Sequence, residues 1–381
     1  MRVAFVSETW LPSTDGVVTR LVATCRELVR RGHEVLMVAP RPTPGLDPAE
    51  PVAGVVVREV PTVGFGFLAG GQRWGVPVPA VGRYLREFRP DVVHVVNPAF
   101  LGVAGVAAAR LRRRPLVASF HTDVATYAGF YHLGLLRPGI WQLLRALHNR
   151  ADVNLATSEA SRQMLAEHGV RQVRLWPRGV DLNLFHPSTA GADGRVRPVA
   201  LYVGRLAPEK GVQRLAALAD PASGFDLVVV GDGPDRNRLR RRLSAANVRF
   251  TGLLHGTELA EAYRSADVFV FPSTTDTLGL VVLEALASGL PVVAAESAPS
   301  TELLGGCPAA RLVPPEPRAM VAAAADLVAA RTSAPAGAER PLGMVARAVA
   351  AGWSWGTATE ALLDCYRQAI ETARPTSGGH G

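Results

Sequence analysis

Lysine is almost missing. Of the 41 basic Lys and Arg side chains in this 381-residue chain, Lys210 is the single lysine. Such a bias marks the position that keeps an ammonium as one where a guanidinium does not serve: lysine is a compact point charge with rotating donors, arginine a planar fork. Cysteine is scarce as well. Cys25, Cys307 and Cys365 are widely spaced with no CxxC pair, which excludes a thiolate zinc site and fits a reducing cytosol. Aromatics make up 6% and do not interleave with a basic stretch, so nucleic acid is not an expected partner. The opening MRVAFVSETW lacks a signal-peptide apolar region, and no apolar run reaches the roughly 20 residues of a membrane span. The expected location is therefore the cytoplasm, with peripheral attachment to the inner face of the cell membrane left open. GxGxxG is absent, which argues against a nicotinamide enzyme. HExxH, DxD pairs and His/Asp clusters of metal spacing are absent too, so no metal cofactor is expected.

What is present supports a large core: 48% apolar and 19% charged residues, with a length that points to two or three domains. The net charge of +8 favours an anionic partner. Arginine clusters at 112–114 and 236–242 suit either an anionic membrane surface or plain solvated helix faces. Apolar runs at 3–6, 33–38, 51–61, 91–96, 115–121, 153–158 and 173–180 read as strands, with helical stretches between them. A Gly-rich loop at 64–75 interrupts the series. A Pro/Gly/Ser/Ala segment follows at 186–198, and then the alternation restarts with PVALYV, DLVVVG, VRFTG, DVFVFP and PVVAA as strands. Continuous apolar strands between helices indicate parallel sheets covered on both faces. The expected division is a domain at 1–187, a linker at 188–198, a second domain at 199–343 and a helical tail at 344–381 that packs back on the first. Two doubly wound α/β domains facing across a cleft place ligands at the carboxyl ends of their strands.

The richest stretch is GRLAPEKG (204–211), between a strand and a helical run. Arg205 and Lys210 there read as a clamp for a diphosphate, the plain alternative being a solvated turn. DTLGLVVLEALASG (276–289) comes next. Gly279 opens a helix, so the amides around it, Leu280 included, can face an anion. Asp276 and Glu284 are acceptor-only groups suited to the hydroxyls of a ribose and a hexose. DGVV (15–18) puts Gly16 at a helix start where backbone can approach an anion, or where a turn needs glycine. His121 ends a strand and either donates to a sugar or leaving-group oxygen or caps a loop. Asp123, Tyr127, Tyr131 and His132 follow in an acceptor-side loop, while His94 reads as a core residue. DGP (232–234) reads as a turn.

Together GRLAPEKG, VVVGDGPDRNRL, DTLGLVVLEALASGLPVV and RGVDLNLFHP resemble the family 4 retaining glycosyltransferases of GT-B fold. The first half (VPTVGFGFLAGGQRWGVPVP, FHTDVATYAGFYHLG, LHNRAD) is most similar to actinobacterial GDP-mannose-dependent α-mannosyltransferases acting on glycolipids and phosphatidylinositol mannosides, and TDTLGLVVLEALASG to sulfoquinovosyl transferases. The resemblance implies two Rossmann-like domains, the first on the acceptor side and the second binding the donor nucleotide. It implies that Arg205 and Lys210 hold the donor diphosphate, Glu284 the ribose, Asp276 the transferred sugar and Gly16 a phosphate, with Gly279 and Leu280 in the donor site. His121 would contact the sugar near the reacting carbon. It further implies same-face transfer in which the leaving phosphate helps deprotonate the acceptor, so neither a protein nucleophile nor an obligatory metal is needed. Three departures stand out: Asp276 where many relatives have Glu, ESAPSTELL (296–304) after PVVAA, and Arg178 in place of an Asn before GVD.

The expected activity is hexosyl transfer, mannose by preference, from a GDP- or UDP-sugar to a lipid-linked or small-molecule hydroxyl. Alternatives are glucosyl or N-acetylglucosaminyl transfer from a UDP-sugar to a soluble cyclitol or natural product, a nucleotide-sugar epimerase of the same fold, and a non-enzymatic basic binding module. Base recognition is expected through backbone near 248–253, which does not separate GDP from UDP.

Overall fold

The computed structural model describes residues 1–13, 15–42, 50–64, 73–123, 134–188, 195–332 and 341–373. The chain forms two compact units. Met1–Pro177 and the closing helix Trp355–Ala373 make the first, and Arg178–Ser354 the second. The division therefore falls before the 188–198 segment. The expected single tail is two helices: Pro341–Ala351 packs against the helix Leu280–Ala287 of the second unit, and Trp355–Ala373 packs on the first unit's helix Gly16–Arg30. Between them Ser354 bridges to Val180, which ends the second unit's share of the chain.

The strands of the first unit are β1 (Arg2–Ser7), β2 (Glu34–Pro40), β3 (Val55–Val60), β4 (Thr62–Gly64), β5 (Arg73–Gly75), β6 (Val92–Val96), β7 (Leu116–Phe120), β8 (Val153–Ala156) and β9 (Val173–Leu175). Seven of them form one parallel sheet in the order β3-β2-β1-β6-β7-β8-β9, and β4 and β5 form a small antiparallel ribbon. That ribbon flanks the Gly-rich stretch read as loop. The second unit carries β10 (Val199–Val203), β11 (Asp226–Val230), β12 (Val248–Gly252), β13 (Val268–Phe271), β14 (Val292–Ala295) and β15 (Ala310–Val313), parallel in the order β12-β11-β10-β13-β14-β15.

Strand β10 shows why these runs are apolar without alternation. Val199, Leu201 and Val203 enter one core while Ala200 and Tyr202 enter the other. Side chains of a strand alternate in direction, so a sheet clad by helices on both sides needs apolar residues at every position. In each sheet the order of strands reverses once, between β1 and β6 and between β10 and β13. Loops leaving the carboxyl ends of adjacent strands diverge there, which opens room for ligand.

Three local expectations change. VQRLAALA is not one helix but the 3-10 turn Val212–Leu215, which starts after Gly211 with its left-handed φ of 64°, followed by the short helix Ala216–Ala219. VRLWPRGV is strand only over Val173–Leu175. The second unit also does not end at PVVAA: Ala298–Leu304, β15 and Pro317–Thr332 complete its sheet and cover. No helix among the described residues is long and apolar enough to cross a membrane.

Candidate active site

In the second unit Arg205 and Lys210 lie on the segment leaving β10, and Asp276 and Gly279 on the segment leaving β13, ahead of the helix Leu280–Ala287 that carries Leu280 and Glu284. The chain leaves β10 through Gly204 and Arg205 and rests on the turn after β11. The Gly204 N–H donates to Val230 O at 3.0 Å and the Leu206 N–H to Asp232 O at 2.9 Å. A Cβ on Gly231 would sit 2.0 Å from Gly204 O, and one on Gly233 2.5 Å from Leu206 O, so DGP acts as a thin backbone support for the Arg205 loop. The Tyr202 hydroxyl donates to Arg205 O at 2.9 Å from the other side. Next comes the 3-10 turn Pro208–Lys210, closed by Gly211. A Cβ on Gly211 would meet Pro272 O at 2.5 Å, and glycine lets this turn lie against the segment that follows β13. The Thr275 hydroxyl then donates to Glu209 O at 2.8 Å and ties the two loops together.

That contact delivers Lys210 to Asp276. Nζ lies 2.5 Å from Oδ2, while Oδ1 accepts from the N–H groups of Leu278 and Gly279 at 3.0 and 2.9 Å. Burial pushes the Asp276 carboxyl up, but the Lys210 charge and the two amides outweigh it and hold the group below the usual carboxylate range. The Gly279 amide, expected to face a ligand, is therefore already used by Asp276. Among the described residues the Leu280 N–H, the next amide of the helix start, has no acceptor. Arg205 stands 3.8 Å from the buried Glu209, so in this structure each cation of the expected clamp faces a carboxylate. Glu209 was not singled out from sequence, although GRLAPEKG contains it.

Glu284 is buried on the helix Leu280–Ala287, and its Oε2 accepts from the Tyr263 hydroxyl at 2.8 Å. Burial pushes its carboxyl up to about 7, against the pull of that hydrogen bond. Arg178 is 2% exposed, and its Nη2 lies 3.4 Å from Thr277 O. Burial lowers its pKa, while the charges of Glu302 and Asp276 act the other way. The departure noticed in RGVD is thus a third cation on the Asp276 loop.

In the first unit Asp15 caps the helix Gly16–Arg30, its Oδ1 accepting from Val17 and Val18 N–H at 2.9 and 3.0 Å. The amides expected to cradle an anion there already hold a carboxylate, which leaves the exposed Gly16 N–H for a ligand. Glu8, just past β1, accepts from Gly102 N–H at 2.8 Å, and burial pushes its carboxyl up to about 7. It went unnoticed in sequence, though an acid directly after a buried strand is an available signal. His121 is 2% exposed. Its N–H is bound by Asn97 Oδ1 at 2.7 Å and its Nε2 lies 2.9 Å from Ser119 Oγ. Burial, then the charge of Arg20, holds its imidazole well below the ordinary value of 6.5, so the ring is neutral. His94 is a core residue with both ring nitrogens bonded, to Tyr366 and to Ser119. Asp123 is buried, while Tyr127, Tyr131 and His132 lie outside the described residues. The 248–253 stretch is largely the edge strand β12. Among the described residues no group of three or more His, Cys, Asp or Glu is placed to hold a metal ion.

Residues 14–184 match the family model "Glycosyltransferase Family 4" and residues 197–330 the model "Glycosyl transferases group 1". A GDP-mannose-dependent alpha-mannosyltransferase of Mycolicibacterium smegmatis is 40% identical over 381 residues, covering 97% of this chain and 98% of that protein.

The chain belongs to glycosyltransferase family 4.

This family 4 enzyme is a hexosyltransferase. It is also 30% identical over 321 residues to a GDP-mannose-dependent alpha-(1-6)-phosphatidylinositol dimannoside mannosyltransferase of Mycobacterium tuberculosis, covering 80% of this chain and 82% of that one. The fold of the glycosyltransferase is shared with sucrose-phosphate synthase of Thermosynechococcus elongatus, with a TM-score of 0.76 at 22% identity over 96% of this chain and 98% of that chain. Its two parallel-sheet halves are Rossmann-like, and the fold class is α/β, GT-B.

Proposed function

We propose that this enzyme transfers an α-mannosyl group from GDP-mannose to a hydroxyl of a lipid-linked acceptor, with retention at the anomeric carbon. The observation that carries this reading is the junction at the β10 and β13 ends. There Lys210, Asp276 and the Leu278 and Gly279 amides are joined through consecutive hydrogen bonds, in a chain similar over 97% of its length to a GDP-mannose-dependent α-mannosyltransferase. An α-mannoside made from GDP-mannose, itself an α-mannosyl phosphate, keeps its configuration.

In this reading Lys210 and Arg205 bind the diphosphate, with the Leu280 N–H at the positive end of its helix adding to the field. Asp276 accepts from hexose hydroxyls and Glu284 from the ribose diol. Gly16 offers its N–H to a phosphate oxygen. The C1–O bond breaks with its electron pair passing to the diphosphate, the acceptor oxygen bonds to C1, and the acceptor proton passes to a phosphate oxygen. Negative charge grows on the leaving group, where the two cations are most effective. They fill the role a divalent cation has elsewhere, so a chelator should leave turnover unchanged. His121, a neutral ring, donates to a sugar oxygen and does not act as a charged acid.

A lipid-linked acceptor is supported by the mannosyltransferase relative whose name specifies a phosphatidylinositol dimannoside. The exposed Arg238, Arg240, Arg241 and Arg242 on the helix Arg236–Arg242 support attraction to anionic lipid, which should weaken as salt rises. The deciding experiment offers GDP-mannose, UDP-glucose and UDP-N-acetylglucosamine, each with a detergent-solubilised phosphatidylinositol mannoside, a diacylglycerol glycoside and a free cyclitol. Nucleotide release and the acceptor's gain of one hexose are followed. Product from GDP-mannose on a lipid acceptor is expected. Product only on the cyclitol overturns the acceptor assignment, and an isomerised donor or nucleotide binding without consumption overturns the transfer itself.

A further inference from the structure

Tyr263 stands near the end of the helix Gly256–Arg264 with its ring sealed in the core of the second unit. It is 1% exposed and packs edge-on against Phe185 at 5.6 Å and tilted against Phe269 at 5.7 Å between ring centroids. A ring held in this way aims its hydroxyl at one place, the helix Leu280–Ala287. Glu284 Oε2 lies 2.8 Å away and Val281 O, three residues earlier on that helix, 3.2 Å. An ionised carboxylate only accepts, so the phenol proton then goes to Oε2, the nearer of the two. A protonated carboxyl keeps the same contact, either accepting at Oε2 or donating to the phenol oxygen while Val281 O takes the phenol proton. Tyr263 is bonded to Oε2 in both states.

The two oxygens of Glu284 are therefore unlike. Oε2 is taken, while Oε1 has no partner among the described residues and is not closed off from solvent, although the side chain is buried. The terminal torsion of a glutamate is broad and roughly two-fold, so an unanchored carboxyl would offer neither oxygen in a fixed place. The position on the helix matters as well. Glu284 follows Leu280 by four residues, one turn and about 6 Å along the same face. A diphosphate at the Leu280 amide leaves its own ribose within reach of that face.

We propose that Tyr263 is a positioning residue of the nucleotide site, which pins Glu284 Oε2 and so presents Oε1 to the 2′- and 3′-hydroxyls of the donor ribose. This role rests on the assignment of Glu284 to the ribose made above. Tyr263 touches no substrate and acts through Glu284. Its effect falls on binding and not on bond making, because the ribose is the same in the ground state and the transition state.

The full-length protein is titrated by calorimetry with GDP and with 2′,3′-dideoxy-GDP, the same nucleotide without the ribose diol. Tyr263→Phe keeps the ring and its packing and removes only the hydroxyl. It should weaken GDP about tenfold, the cost of a lost hydrogen bond to a charged group, and leave dideoxy-GDP within about twofold of the wild type. In a Glu284→Ala background the same substitution should change GDP affinity by less than about twofold, because the two residues act as one unit. With GDP-mannose as donor, KM should rise about tenfold while kcat stays within about twofold, the pattern of an interaction equal in ground and transition states. A Tyr263→Phe protein that binds GDP like the wild type, that weakens both nucleotides equally, or that loses as much again without Glu284 overturns the positioning role. Glu284→Ala with wild-type affinity for GDP overturns the ribose assignment itself, and that single variant tells the one failure from the other.

Discussion

Lys210 Nζ is hydrogen-bonded to Asp276 Oδ2 at 2.5 Å, and the two residues are 66 positions apart in the chain. The chain's single lysine and the acid read from sequence as a sugar ligand are thus each other's partner, 21% and 14% exposed. The pair keeps the ammonium aimed and the carboxylate ionised.

Replacing Lys210 by Ala removes the charge facing the leaving group. Turnover is expected to fall by about 10²–10³, the usual cost of losing a preorganised stabilising donor, with a cooperative melt retained. Lys210→Arg should recover little, since the fork needs more room and a different geometry. Steady-state kinetics beside a thermal melt decide it, and wild-type turnover in the Ala protein removes the clamp.

Asp276→Asn keeps an oxygen for the Leu278 and Gly279 amides and loses the ion pair. Activity should fall about 10- to 100-fold, the range for a hydrogen bond to a charged group. The folded carboxyl titrates below its unfolded value of 3.8, so its stabilisation is present above that pH and lost as pH falls through the lower folded value. The Tm deficit of the Asn variant should therefore shrink in acid. A deficit that grows on acidification contradicts the assignment.

Glu284 titrates near 7 in the folded chain against 4.5 unfolded. Between those values the native state holds a proton the unfolded state has lost, so stability declines as pH rises through that window. Glu284→Gln should gain Tm relative to the wild type from about pH 5 to about pH 8. Glu8 behaves alike in the first unit, so the variant flattens only part of the slope. A constant difference across the range would rule out a buried neutral Glu284.

Gly231 has φ 131° and no room for a Cβ, 2.0 Å from Gly204 O, whereas Gly224 has φ 80° with nothing within 4 Å. Gly231→Ala should cost about 1–3 kcal/mol, lower Tm by roughly 3–10 °C and weaken nucleotide binding, because the Arg205 loop must move. Gly224→Ala carries only the local backbone strain and should leave nucleotide affinity unchanged. Melting and nucleotide titration of the two variants compare them directly, and equal affinities would detach the DGP turn from the site.

Much of this was legible in the chain itself. Apolar runs such as VALYV and VVHVV announced strands buried on both faces, the restart after 186–198 announced a second α/β unit, and a lone Lys among arginines drew attention to position 210. These are properties of neighbouring residues and of composition, which periodicity and propensity report directly. Asp15 at the first helix start was readable as a cap and was passed over for Gly16.

What the linear order could not supply is who meets whom. That Asp276 holds Lys210, that Thr275 bonds Glu209 O, and that Tyr366 reaches His94 across 272 residues depend on which strands become neighbours. A parallel crossover brings together carboxyl ends that no local pattern links. Burial then shifts Glu284 and His94 away from their ordinary titration, because desolvation exists only once the sheet and its helices have closed.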